Sequence, residues 1–525
     1  MLRQALHGIT AVSLHRSEPT MEAILSHESV DLPARPISSS AARSESMRLR
    51  FLKGVGANFL GQALGLISQA LLVPLFLQTW GVDLYGEWLV LGSILAYLSL
   101  ADMGGQLYVI NLLTQAYTQG NAVRFQRVLS TAVAFFVILP TGVLLVCLAA
   151  ALMMPPNLVP LANVTDYGTA LIVLVLLALQ IAYSIPLGTL TGVYRAVGLL
   201  PRGVMIGNAL QLLQLLVTGA ALLMGGGVAW VATVQIMTLA MMAGIVIKDL
   251  TKHLPEYSLF SLAYIDLSLA RTFLKPSLHF LTIQLSQMLS VQGLVVLIGT
   301  VLGSIQVVVF TTMRTIVNAM KQLLGALSFA AWPEMTRLDS AGDADKLFRL
   351  FRALFRSTLV ITALLTITLH YWGESIYHLW LGDAVEYQPR ILDLFLVYIL
   401  QAVLWTTCSH ILMAINRHHA ISTMLLGASL LTLVFSFLGA QVSALEGALI
   451  GIVASDVMLP LWYVPYVLYR YDRRFSGLFY LQEAGPVVAG LLTAVVIPWS
   501  APAVVVLLLL WLMERMSGQG LAQKS

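Results

Sequence analysis

The chain has 525 residues, of which 58% are hydrophobic and only 10% charged, with a net charge of +4. Soluble domains carry roughly 25% charged residues, so a chain this poor in charge cannot cover a soluble surface, and its recurring apolar runs are each long enough to cross ~30 Å of hydrocarbon as a helix. Helices apolar all round are not barrel strands, and the basic residues crowd into alternate loops without interleaved aromatics, which excludes a nucleic-acid partner.

Residues 1–46 differ in kind from the rest: polar, mixed in charge, with Pro33, Pro36 and the run Ser38-Ser39-Ser40. They lack the apolar core of a signal peptide and read as a disordered extension. Met47 then opens Met47-Arg48-Leu49-Arg50-Phe51-Leu52-Lys53, a natural start for a chain entering the membrane at once. A misplaced upstream start and a functional extension are both open.

The apolar runs predict an all-α polytopic membrane protein of about fourteen spans. They fall at 54–79, 84–113, 129–153, 168–192, 202–224, 227–248, 274–301, 304–332, 353–373, 391–415, 419–440, 446–469, 485–498 and 501–513. The last two are short for crossing helices and are expected to tilt, thin the bilayer or form a shallow hairpin. Cys147 and Cys408 both fall inside apolar runs, away from any exposed disulfide framework.

Loop charge sets the orientation. With the first loop outside, the external loops carry one basic residue, Arg390, beside Asp83, Asp166, Glu374, Asp383, Glu386 and Glu446. The internal loops carry, among others, Arg124, Arg127, Arg195, Lys248, Arg271, Arg337, Arg417 and Arg470. Both termini are therefore expected in the cytoplasm.

An internal repeat runs through the chain. Phe51-Leu52-Lys53 returns as Phe273-Leu274-Lys275, and at the same shift Gln62 meets Gln284, Ser68 meets Ser290, Gly81 meets Gly303, Gly120 meets Gly342 and Arg195 meets Arg417. Each match is weak, but a constant shift that lands loop on loop is not. It predicts a six-helix bundle at 47–252, a cytoplasmic linker at 253–272, a second six-helix bundle at 273–474, and two spans with a tail at 475–525. Six spans per repeat give both halves the same orientation, the parallel-repeat plan of transporters that place their site between rocking halves.

The opening spans carry Gly54-Val55-Gly56-Ala57-Asn58-Phe59-Leu60, Leu72-Val73-Pro74, Trp80-Gly81, Tyr85-Gly86-Glu87-Trp88, Leu100-Ala101-Asp102-Met103-Gly104 and Asn111-Leu112. The second half adds Ala331-Trp332-Pro333 and Gly342-Asp343. These stretches resemble the polysaccharide-export flippases, within the superfamily of multidrug, oligosaccharidyl-lipid and polysaccharide exporters. The resemblance covers roughly residues 50–475 and departs at the long amino-terminal extension. It implies a V-shaped cavity between two bundles in a bacterial inner membrane. The substrate it implies is an undecaprenyl-pyrophosphate-linked oligosaccharide, moved from the cytoplasmic to the periplasmic leaflet for O-antigen, capsule or exopolysaccharide assembly. Polymerase and glycosyltransferases of the same pathway are the implied partners, beside the membrane lipids.

Polar residues inside spans are costly, about 2.5–3.5 kcal/mol for a central charge on insertion scales, and so are functional candidates. Span 8 is the richest. Arg314 and Lys321, seven residues apart, share a helix face with Thr311, Asn318, Gly325 and Ser328. Such a stripe suits an anionic substrate, because both side chains bind phosphate oxygens well; the competing reading is an ion pair holding one bundle together. In span 1, Asn58, Gln62, Gly65 and Gln69 recur at helical spacing, and in span 7 His279, Ser286, Ser290 and Gly293 do the same. With Gln284, these stripes are expected to face one central cavity and bond sugar hydroxyls, against a packing role. Asp456, Asp102 and His279 are the candidates for proton or sodium coupling or gating; Asp102 also reads as half of a structural ion pair, and His279 as a bystander. Glu87 and Asp393 lie close enough to the outer interface to snorkel. The stretch from Gly342 to Arg356 reads as an interfacial amphipathic helix drawn to anionic lipid.

No phosphate-cradling glycine motif, metal-ligand cluster or nucleophile elbow appears, so neither a metal or other cofactor nor an enzyme activity is expected. A membrane polymerase or ligase would need a large external loop with paired acids, and the external loops here are under about twenty residues. Multidrug extrusion is disfavoured because span 1 lacks a carboxylate and basic charge deters cationic drugs. A peptidoglycan-precursor flippase, with an equally anionic substrate, is the closer alternative.

Overall fold

A computed structural model describes residues 47–102, 105–153, 166–415 and 419–521 of the chain. The extension at 1–46 and the motif residues Met103 and Gly104 lie outside the described residues. Within them every regular element is helical, and eleven helices are long and apolar enough to cross a membrane. Two of these double back at kinks and supply two spans each, and Ser304–Ser340 completes fourteen.

The two halves turn at matching points. Met47–Ala96 reverses at Gly81, where φ is 73°. The equivalent turn at Gly303 has φ 90°. Gly120 and Gly342, again equivalent, have φ 66° and 69°. Left-handed backbone is cheap only for glycine, so the repeat seen in sequence is a repeat of turn geometry. Span 7 is unbroken in course but not in winding. Leu267–Met288 passes through a π-helical turn, Leu289–Gly293, into Leu294–Leu302.

The ends of the halves opposite the basic loops share one apolar core, in which Val73, Phe76, Tyr85 and Val90 meet Leu294, Ile298, Val307 and Phe310. The contact is backbone-close at Gly86, where an added Cβ would lie 2.8 Å from Ser304 Cβ. Trp380 Nε1 also donates to Ala70 O across the halves at 2.8 Å. On the basic side the linker is tied to span 3. Ser258 N donates to Gln126 Oε1 (2.9 Å) and Asp266 N to Thr131 Oγ1 (3.0 Å). Asp266 then caps span 7 by accepting from Ser268 and Leu269; the Ser268 bonds in particular hold its carboxyl below the usual range.

Three expectations change here. Residues 344–356 are not a separate surface helix but the start of span 9, Ala344–Leu381, with Leu347, Phe351, Leu354 and Phe355 buried. Their apolar face meets Phe475, Phe479 and Tyr480 of the span 13 region, so protein and not lipid covers it. Spans 13 and 14 are also not short. Gly477–Val496 has 20 residues and Ala501–Leu521 has 21, enough for ~30 Å at ~1.5 Å per residue. The earlier start takes in Glu483, which is 1% exposed and accepts from Arg352 (2.6 Å) and Arg356. Asp393, finally, does not simply snorkel: its Oδ1 lies 2.8 Å from His370 Nδ1.

Candidate functional site

Span 8 carries the stripe that the sequence singled out, and the structure brings it to a cavity. Arg314, Asn318 and Lys321 line a space of about 400 Å³ with Ser286 and Ser290 of span 7 and Asp456 of span 12. A second space of about 290 Å³ adjoins it, sharing Lys321, Tyr398, Trp405, Thr406 and His410. Both volumes lie in the range of small-molecule sites or just below it. Every residue lining these two spaces belongs to the second half. Span 8 turns its stripe toward spans 10 and 12 of its own half.

The two cations are held by a carbonyl, a hydroxyl and ring faces, with Asp456 in the same cavity but not in direct contact with them. Arg314 Nη1 donates to Val291 O at 3.1 Å, and its guanidinium lies 5.0 Å from the Phe310 ring centre. Lys321 Nζ donates to Tyr398 Oη at 3.0 Å and stands 4.2 Å from that ring centre. Among the described residues neither forms an ion pair, so the bundle-holding pair that competed with the substrate reading is not found there. Val291 belongs to the π-helical turn, and such turns are frequent at functional sites. Asp456 is 7% exposed and accepts from Trp405 Nε1 at 3.0 Å.

The other candidates are elsewhere. Asn58, Gln62 and Gln69 lie on an exposed face of span 1. The small residues between them take the packing: Asn208 of span 5 donates to Ala57 O at 2.7 Å, and Gly61 and Gly65 face Asn208 and Gln211. Asn58, Gln62 and Gln69 line neither of the two spaces above, whereas Ser286 and Ser290 of span 7 line the first. Gln284 lies at Asp102, bonding its carboxylate. Gln106 N also donates to Asp102, at 3.2 Å, so Asp102 joins spans 2 and 7 through amides, and no ion pair of Asp102 is found among the described residues. The side chain of His279 is outside the described residues.

Sequence reasoning missed Tyr398, Trp405 and Ser409, which the cavity needs. They stand at i, i+7 and i+11 of span 10, a polar-aromatic face that the search for charge passed over. The π-helical turn left no such signal.

No protein-family model matches the sequence, and no curated protein matches it. Solved structures do. A multidrug resistance MATE family transporter of the MOP superfamily, in an inward-facing conformation, superposes with a TM-score of 0.65 at 12% identity, over 79% of this chain and 95% of that one. The chain has the fold of the MOP-superfamily transporters. The lipid II flippase MurJ, in an inward closed conformation, gives 0.62 at 11% identity, over 89% of this chain and 98% of that one. An outward-facing MATE family transporter gives 0.56 at 12% identity, over 84% and 99%. With eleven helices long and apolar enough to cross a membrane, the chain is a multi-pass membrane protein whose neighbours in fold are transporters and a flippase.

Proposed function

We propose that the protein is a flippase for undecaprenyl-pyrophosphate-linked oligosaccharide. It carries repeat units from the cytoplasmic to the periplasmic leaflet of a bacterial inner membrane, for O-antigen, capsule or exopolysaccharide assembly. Both termini are cytoplasmic, and the basic loops face the leaflet where the substrate is loaded. The observation that carries this reading is the pair Arg314 and Lys321, which line one cavity and form no direct ion pair among the described residues. Two cations beside the single carboxylate of Asp456 leave that cavity open to an anionic visitor, and guanidinium and ammonium groups both suit a pyrophosphate. The same charge repels the cationic substrates of a drug exporter. A peptidoglycan-precursor flippase uses the same chemistry, and the superposition on the lipid II flippase over 98% of its length supports keeping it as the second reading.

The test is export in cells. Arg314→Ala or Lys321→Ala should block it and leave lipid-linked repeat units at the cytoplasmic face, with protein levels normal. Arg314→Lys should keep partial activity, since attraction survives the loss of the fork. Normal export from the double alanine variant refutes the role, and accumulation of lipid II alone shifts the reading to peptidoglycan.

A further inference from the structure

The cavity holds more than an anion needs. Opposite the two cations, one face of span 10 presents Phe395, Tyr398, Trp405 and Ser409 to it. Trp405 lines both adjoining spaces, so its indole forms part of the wall between them. The bond from Nε1 to Asp456 Oδ2 fixes the plane of that ring. Asp456, a buried carboxylate, forms no ion pair among the described residues, although Lys321 is near enough to act on it through space. Asp456 lines the cavity together with Thr406 and Ser409.

A fixed aromatic plane beside a carboxylate and hydroxyls is the equipment that recognises a sugar. The C–H face of a pyranose packs on the ring, and its hydroxyls donate to the carboxylate in charge-assisted bonds. At ~1.5 Å per residue, Arg314 and Lys321 are about 10 Å apart along span 8, so the cationic wall and the Trp405–Asp456 wall border one space of small-molecule size. We propose that Trp405 and Asp456 form a subsite for the sugar joined directly to the pyrophosphate, so that the cavity reads the sugar-diphosphate junction and not the anion alone. The subsite rests on the anion reading above and adds to it a determinant of substrate choice.

The experiment compares two probes on the purified full-length protein: farnesyl diphosphate, and the same lipid diphosphate bearing N-acetylglucosamine. The quantity read is the ratio of their affinities. One stacked ring and one charge-assisted bond together predict a ratio of about thirty or more in the wild type. Trp405→Leu should lower it several-fold, while Trp405→Phe, which keeps a ring, should retain more of it. Asp456→Asn, which keeps shape and loses charge, should lower the ratio as well, and it decides the matter if Trp405→Leu fails to fold. A ratio near one in the wild type, or a ratio unmoved by these variants, overturns the sugar subsite and leaves the anion site standing. Failure of both probes to bind, or diphosphate affinity unchanged in Arg314→Ala, overturns the anion reading and the subsite with it.

Discussion

Glu483 and Arg314 show two opposite uses of a charge within the membrane. Glu483, 1% exposed, accepts from Arg352 and from Arg356, itself 2% exposed, and Arg356 also lies 5.8 Å from the Trp511 ring centre. One carboxylate thereby joins span 9 to span 13, with span 14 alongside. Breaking such a pair strands a buried charge, at about 3–5 kcal/mol. Glu483→Gln should therefore lower the unfolding midpoint of the detergent-purified protein sharply and reduce its abundance in membranes. A double variant, Arg356→Met with Glu483→Leu, should recover much of that loss, because an apolar pair of similar volume is often no worse than a buried ion pair. Arg314, which has only a carbonyl and a ring face, should behave otherwise. Its alanine variant should leave the midpoint nearly unchanged and affect substrate binding alone.

The first turns of span 9 show how an element can misreport its surroundings. Leu347, Phe351, Leu354 and Phe355 make an apolar stripe with basic residues beside it, the pattern of a helix lying on lipid. In the structure Phe351 packs on Phe475 at 5.0 Å between ring centres and Phe348 on Phe479 at 5.4 Å. The stripe is a docking face for the final hairpin. Phe351→Ala should then cost about 3–5 kcal/mol, the usual range for a buried phenylalanine, read as a fall in thermal midpoint. Arg349→Ala, at an exposed position, should leave the midpoint unchanged and should not release anything from anionic vesicles. A lipid-surface helix would give the reverse pattern.

Between the halves, the packed ends are those away from the basic loops. Gly86 against Ser304 and Trp380 against Ala70 seal that side. If flipping proceeds by alternating access, this seal must open in every cycle. A Cβ at position 86 would lie 2.8 Å from Ser304 Cβ and closer still to its carbonyl group, which is backbone and cannot swing away, so Gly86→Ala must part the two halves there. Export measured in cells should fall with protein levels normal if closure of this end is part of the cycle. Undiminished export from Gly86→Ala would rule out a need for close packing at this end. The halves as drawn, 47–252 and 273–474, remain part of the same proposal, with the linker held on span 3 by Gln126 and Thr131.

Hydropathy determined the all-helical, multi-pass fold and its fourteen spans, because that signal is local and additive along the chain. The repeat was legible for a related reason: glycine at a positive φ has few substitutes, so Gly81 and Gly303 mark equivalent turns in sequence and in space. Arg314, Asn318 and Lys321 were legible as one face because helical periodicity fixes which residues share a stripe. Which way a stripe faces is another matter. That depends on the rotation of each helix against its neighbours, set by close contacts such as Ala57 with Asn208 and Gly86 with Ser304. For this reason Tyr398 and Trp405 line the cavity of Arg314 and Lys321, and Asn58, Gln62 and Gln69 do not. Sequence periodicity supplied the faces, and only tertiary packing decided that the cationic face belongs to a cavity within the second half.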